Sequence, residues 1–306
     1  EEYKREVPNM REIVMGDMDD PATYKNLQEG HTIGVFQLGS PGVRELLRRA
    51  KPTQFMDIAT ITALYRPGPM STNAHLEWAD RKNGVKEVEY IDPGFKGTVV
   101  QVILEDTSGI LVFQEQLMQI VTRYAGMSSY EADTLRKAMG KKKMDIMMSL
   151  KPKFIEGAIK NGSTKQLAEK LWDTMEGFAQ YGFNKSHSVS YAINIYQTIY
   201  LKTHYPSEFM AALIQQGFGN PSKVAEFLQE AQRMGLRVGP VDINGSQVKM
   251  AATGKGNDDK YDIVYGFAGV KQVNETLSQE IVNERLKNGP YKSVADFVKR
   301  ITKRTQ

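Results

Sequence analysis

The 306-residue sequence contains no cysteine. That excludes disulfides, thiolate zinc sites and cysteine nucleophiles, and it suits a cytoplasmic protein. It has no run of about 18 apolar residues, so no membrane-spanning helix is expected. It opens Glu1-Glu2-Tyr3-Lys4-Arg5, with neither a signal peptide nor a starting methionine, and is expected to be a fragment or a processed product. There is no P-loop and no dinucleotide-type glycine fingerprint. The four histidines (His31, His75, His187 and His204) are scattered and form no H-E-x-x-H pair. A zinc hydrolase or a serine triad therefore has no support. Internal repeats and low-complexity tracts are absent too. Nor is there a large charge excess: the net charge is +4, so any polyanion site must come from local clustering.

What is there is an ordinary globular composition, 41% apolar, long enough for a large core and one or two domains. The apolar spacing is mainly helical. Helices are expected over 43–50, 53–64, 71–83, 114–124, 128–139, 151–161, 164–180, 189–204, 207–216, 224–234, 276–287 and 293–303. Asp20-Pro21 reads as a helix start, with Asp as N-cap and Pro at N1. That explains Asp17-Met18-Asp19-Asp20 better than a two-metal carboxylate pair does. Short strands are expected at 33–38, 110–113, 236–241 and 261–265, with loops over 84–108 and 251–260 and a boundary at Gly217–Pro221. The expected fold is mainly α, with a few short strands.

Three stretches carry the chemistry. The first runs Leu135-Arg136-Lys137-Ala138-Met139-Gly140-Lys141-Lys142-Lys143. Seven basic residues lie between 136 and 153 (Lys151 and Lys153 are the last two), against one acid, Asp145. Ser128-Ser129-Tyr130-Glu131 is a capping box that opens this helix. Arg136 and Lys137 then fall in a last turn, where the helix dipole favours cations. That does not cover Lys141, Lys142 and Lys143, which repel one another unless an anion neutralises them. The run is either a phosphate site or a solvated face.

The second stretch is Tyr181-Gly182-Phe183-Asn184-Lys185-Ser186-His187. Ser186 is expected to cap the next helix, whose free N–H groups suit an anion. Tyr181 and Phe183 are flat groups able to stack on a base; the plainer reading is a tight turn with an ordinary cap. The third is Tyr65-Arg66-Pro67-Gly68-Pro69, a rigid stop that either offers Arg66 to an anion or merely breaks a helix. Glu115, beside Gln114, reads as a carboxylate holding a structural network together.

Taken together these motifs resemble the alpha subunit of bacterial replicative DNA polymerase III, the C-family polymerases. The resemblance runs through Gly34-Val35-Phe36-Gln37-Leu38, then Ala63-Leu64-Tyr65-Arg66-Pro67-Gly68-Pro69-Met70, then Gln114-Glu115-Gln116 with Met118-Gln119-Ile120. It continues through Ala132-Asp133 and Leu135 to Lys143, then Gly182 to His187, Tyr205-Pro206 and Glu208 to Ala212. The order and spacing match over residues 20–306. The resemblance implies a helical fingers region of a replicative DNA-directed DNA polymerase. It implies a connector over 1–30, fingers over 31–217 and an extension over 218–306 with a degenerate helix-hairpin-helix-like motif.

By the same resemblance Arg136 and Lys137 contact the triphosphate of an incoming dNTP, with Lys141, Lys142 and Lys143 beside them. Arg66, Asn184, Lys185, Ser186 and His187 line the same pocket. Candidate DNA or base contacts are Tyr181, Phe183, Arg48, Arg49 and Lys271. The implied partners are primer-template DNA, dNTP, the palm and, through other regions, replisome subunits such as the sliding clamp. Catalytic aspartates and the Mg2+ they hold belong to the palm, so this chain alone is expected to be inactive. Two departures stand out. Lys137 replaces a frequent second arginine and loses the bidentate fork. Gln272-Val273-Asn274 stands where the family has Gly-Val-Gly, which leaves that hairpin either a phosphate contact or purely structural. The alternative function is a non-catalytic helical nucleic-acid-binding or assembly module.

Overall fold

The computed structural model describes residues 8–14, 16–141, 143–178, 181–253 and 261–302. Lys142 of the basic run and most of the expected 251–260 loop lie outside the described residues. The helices run α1 (Met10–Val14), α2 (Pro21–Gln28), α3 (Pro41–Ala50), α4 (Phe55–Leu64), α5 (Pro67–Ser71), α6 (Ala74–Lys82), α7 (Val99–Leu104) and α8 (Gln114–Gln119). They continue with α9 (Ser129–Gly140), α10 (Met144–Lys160), α11 (Lys165–Phe178), α12 (Lys185–His204), α13 (Pro206–Gln216), α14 (Pro221–Arg233), α15 (Glu275–Asn288) and α16 (Val294–Thr302). The fold is mainly α, as its periodicity implies.

Proline explains many of the helix starts. It stands at the first turn of α2, α3, α5, α13 and α14, where its missing N–H costs nothing. Side chains also cap several starts. Asp20 Oδ2 accepts from the Thr23 amide at 2.7 Å. Asn274 Oδ1 accepts from the Leu277 amide at 2.8 Å. The expected box at α9 is present: the Ser128 amide donates to Glu131 Oε2 at 3.0 Å, and the Glu131 amide donates to Ser128 Oγ at 3.3 Å. Arg66 is extended (φ −147°, ψ 157°), the conformation that a following proline favours. Pro67 therefore ends one helix and starts another.

Several expectations need correcting. Ile33–Leu38 forms turns, not a strand; Gly34 (φ +79°) and Gln37 (φ +58°) are left-handed, which no strand allows. Residues 110–113 contribute one parallel bridge, Phe113 to Phe183. Between 84 and 108, α7 forms because Val100, Ile103 and Leu104 are buried together. The 114–124 helix widens into a π-helical turn over Ile120–Tyr124, and Gly126 (φ +66°) ends it. Helix α10 starts seven residues before the expected Lys151 and passes through Pro152. Met147, Phe154 and Ala158 are buried on one face of it, and that face outweighs one lost hydrogen bond. Ala251–Ala252 is a strand.

The chain divides into two compact units. One comprises 14–32 and 36–199; the other takes the described parts of 1–13, 33–35 and 200–306. In the first, Phe95, Leu104, Leu117, Leu135, Phe154 and Trp172 centre the core, each at most 1% exposed. Burying a Leu or Phe of this kind contributes about 1.5–3 kcal/mol.

In the second unit, Met210, Ile214, Ala231, Leu236 and Ile263 form one cluster and Phe267, Ile281, Val282, Tyr291 and Ile301 another. Its sheet has the order β1 (Val238–Gly239), β3 (Ile263–Val264), β2 (Ala251–Ala252), with β1 parallel and β2 antiparallel to β3. A buried ion pair, Lys202 Nζ to Glu230 Oε1 at 2.6 Å, is completed by Arg233 Nε to Glu230 Oε2 at 2.7 Å.

Candidate functional site

Two short segments, 112–115 and 181–185, are zipped together inside the larger unit. The Phe183 amide donates to Val112 O at 3.2 Å, and the Gln114 amide donates to Phe183 O at 2.8 Å. Gln114 Nε2 adds a bond to Gly182 O at 3.2 Å. Immediately beyond this bridge α8 begins on one side and α12 on the other. Their first turns are thus held side by side, and Glu115 faces the start of α12. Its Oε1 accepts from Asn184 Nδ2 at 2.9 Å and its Oε2 accepts from the Lys185 amide at 2.8 Å.

This overturns the expected cap. Ser186 is an exposed residue inside the helix. Asn184 is the cap, with Oδ1 accepting from the His187 amide at 2.8 Å. The helix starts at Lys185, four residues before the expected Val189, because Asn184 and Glu115 together satisfy its first donors. A helix N-terminus attracts anions, and here a carboxylate of the chain itself already sits there.

Arg66 braces the same turn from another side. Its Nε donates to Ala63 O and its Nη2 to Tyr181 O, both at 2.9 Å. Its guanidinium lies 4.1 Å from the Phe183 ring centroid. Burial pulls its pKa below the usual arginine value, although arginine still keeps its proton. Gly68 allows the close approach, since a Cβ there would lie 2.7 Å from Tyr181 Cβ. Tyr181 also packs edge-on against Phe178 at 6.0 Å. Of the two expected stacking rings, Tyr181 is thus wedged between α5 and Phe178, and Phe183 carries Arg66 on its face.

A run of rings leads outward. Phe183 meets His187 at 5.4 Å, His187 meets Tyr191 at 4.4 Å, and Tyr191 meets Phe36 at 5.5 Å. His187 is exposed, and Phe36 is 40% exposed. Tyr191 is only partly buried, whereas Ile195, Tyr196 and Ile199 of the same helix are in the core. Phe36 carried no chemical signal of its own beyond its place in Gly34-Val35-Phe36-Gln37. Lys185 Nζ lies 4.0 Å from Asp106 Oδ2 and 5.7 Å from the Phe113 ring centroid.

The basic run is more compensated than its sequence suggests. Asp133, one turn earlier, accepts from Arg136 Nε at 3.0 Å and Nη2 at 2.7 Å through Oδ1, while Oδ2 meets Lys137 Nζ at 2.7 Å. Lys137 first, then Arg136, holds the Asp133 carboxyl below its ordinary pKa. Lys151 pairs with Asp173 at 2.9 Å, and Lys153 with Glu131. Lys141 and Lys143 are exposed, with no carboxylate partner among the described residues. The trio of Asp133, Arg136 and Lys137 keeps one net positive charge, and Lys141 and Lys143 add to it.

Helix α9 packs on α8. The basic helix and the α12 turn therefore share α8 as a neighbour. Among the described residues no hydrogen bond or ion pair joins Arg136 or Lys137 directly to 184–187. Arg48 and Arg49 stand apart from this arrangement. Arg49 makes a bidentate pair with Asp80 at 2.8 and 2.7 Å. Arg48 binds Glu29 O and Glu45, each at 3.2 Å. Both brace α3. Lys271 is exposed in the other unit and precedes Gln272, which takes φ +69°. No group of acidic or histidine side chains able to hold a metal ion occurs among the described residues, and no described helix is long and apolar enough to cross a membrane.

Residues 4–162 match the family model for the bacterial DNA polymerase III alpha subunit finger domain. The chain belongs to that family. A helix-hairpin-helix motif model matches residues 235–306, a span that includes Gln272-Val273-Asn274. The DNA polymerase III subunit alpha of Vibrio cholerae is 43% identical over 284 residues, 93% of this chain and 24% of that protein. The protein of the same name from Aquifex aeolicus is 42% identical over 287 residues, 94% of this chain and 24% of that protein. The one from Escherichia coli is 41% identical over 283 residues, 92% of this chain and 24% of that protein. The chain spans about a quarter of the length of these relatives. The finger-domain match takes in Arg66, Glu115, Asp133, Arg136 and Lys137. The turn at 184–187 lies past its end, within the reach of the full-length relatives.

Proposed function

We propose that this chain is the fingers part of a replicative DNA-directed DNA polymerase and that its larger unit binds the incoming dNTP opposite primer-template DNA. The observation that carries the reading is the shared support of α8. It touches both the basic helix α9 and, through Glu115, the α12 turn, in a chain that belongs to the finger-domain family. In this reading Arg136 and Lys137 exchange Asp133 for triphosphate oxygens, with Lys141, Lys142 and Lys143 adding charge. Asn184, Lys185, Ser186 and His187 line the rest of the pocket. Arg66 serves by bracing Tyr181 and Phe183, its Nη1 group remaining for a ligand. The fingers occupy about 31–217, after a connector over 1–30, and 218–306 forms the extension.

Nucleotidyl transfer depends on metal ions that neutralise charge developing on the phosphates. We assign the Mg2+ ligands to palm aspartates elsewhere in the polymerase, so the chain by itself does not extend a primer. The test is primer extension by this chain combined with a palm-bearing polypeptide. Extension is expected only with both present, and Arg136→Ala is expected to raise the KM for dNTP. An unchanged KM removes Arg136 from the triphosphate. The competing reading, a nucleic-acid-binding module without a catalytic part, predicts salt-sensitive DNA binding that is indifferent to added dNTP.

A further inference from the structure

We infer that Glu115 is a positioning residue for the nucleotide pocket, a carboxylate that sets the geometry of the α12 turn without touching the ligand. The inference rests on the proposed function for its ligand and on the structure for its geometry. Glu115 stands in the first turn of α8 and takes two donors from α12, the side-chain amide of Asn184 and the backbone amide of Lys185. Asn184 in turn holds the His187 amide. One carboxylate thus orients Asn184, Lys185 and His187 together, and it does so across 70 positions of sequence.

The arrangement looks wrong for a phosphate pocket by charge alone. A carboxylate at the helix N-terminus repels a triphosphate and uses the donors an anion would want. Its presence makes sense if the α12 turn acts through shape, offering the ring run His187–Tyr191–Phe36, while phosphate charge goes to the α9 side. Removing the charge then has opposite consequences under the two accounts. If Glu115 acted only as a nearby negative charge, Glu115→Gln would tighten triphosphate binding. If it positions the turn, the same change weakens binding, because a glutamine presents one acceptor oxygen where two donors need one each.

The experiment titrates the 306-residue chain and its E115Q variant with dATP and primer-template DNA, and measures amide hydrogen exchange over 181–188 without nucleotide. The expected result is dATP binding weakened about tenfold, roughly the net worth of one hydrogen bond, with faster exchange at Lys185 and an unchanged exchange pattern in α10 and α11. Tighter or unchanged dATP binding, or unchanged exchange at Lys185, overturns the inference. If the unsubstituted chain binds no dATP, the proposed function fails on this chain, and the exchange at Lys185 alone decides the positioning role. N184D reads the contact from its other side. Its carboxylate still caps the His187 amide but cannot donate to Glu115, so exchange at Lys185 rises. In E115Q/N184D the amide and the carboxylate change places. The double variant is expected to bind dATP more tightly than N184D, and equal binding counts against the inference.

Discussion

Replacing Arg66 by alanine removes three interactions at once. The hydrogen bonds to Ala63 O and Tyr181 O, both 2.9 Å, come from a charged donor, and such bonds contribute about 1.5–3 kcal/mol each. The guanidinium over the Phe183 ring at 4.1 Å adds about 0.5–1 kcal/mol. The side chain is only partly buried, so the lower ends apply and the loss comes to about 3 kcal/mol. For a unit of about 150–250 residues, 1 kcal/mol moves the melting temperature by about 2–4 °C, so R66A should melt about 6–12 °C lower. Arg66→Lys keeps the charge but loses the planar fork, and should fall between the two. Calorimetry on the three proteins checks this. If R66A melts within about 1 °C of the parent, Arg66 does not brace the turn, and its bonds to Ala63 and Tyr181 add nothing to stability.

Two glycines in neighbouring helices should respond in opposite directions. A Cβ at Gly157 of α10 would lie 2.0 Å from Ala125 O, whereas one at Gly177 of α11 meets nothing within 4 Å. Gly157→Ala should destabilise by at least about 1–3 kcal/mol through overpacking, and Gly177→Ala should stabilise by about 0.5–1 kcal/mol; urea midpoints read both. Lys153, then the Ser128 amide and hydroxyl, hold Glu131 down at about 2, from a usual 4.5. A depressed carboxylate stabilises above its unfolded value and loses that contribution as pH falls through its folded one. The stability gap between the parent and Glu131→Gln should therefore close between about pH 4.5 and pH 2, and a gap that stays constant over that range would show that the Lys153 pair contributes nothing.

The helices were largely legible, because proline at N1 and Asp, Asn or Ser caps are local signals. So was the capping box at Ser128. The added turns of α10, 144–150, bring in Met147, which is buried on the face of Phe154 and Ala158; starting the helix beside Pro152, a favoured first-turn residue, misses them. The two left-handed residues in 33–38 defeated the strand reading, since a run of apolar letters says nothing about φ. At the site, the motif Gly182 to His187 was recognised but its cap was misplaced. Asn184 outcompeted Ser186 with help from Glu115, and no local pattern reveals a partner so distant in sequence. The Tyr181 carbonyl on Arg66 is hidden for the same reason. Asp133 is different: it stands three and four residues before Arg136 and Lys137, the spacing at which helix side chains meet, so its pairing was readable in advance.

The central claim is that the basic end of α9 and the start of α12, both neighbours of α8, serve one triphosphate. Amide hydrogen exchange of the chain with primer-template DNA, with and without dATP, tests it directly. Protection by dATP of both 136–141 and 184–188, abolished in both by R136A, is the predicted result. Protection confined to one of the two segments would contradict it.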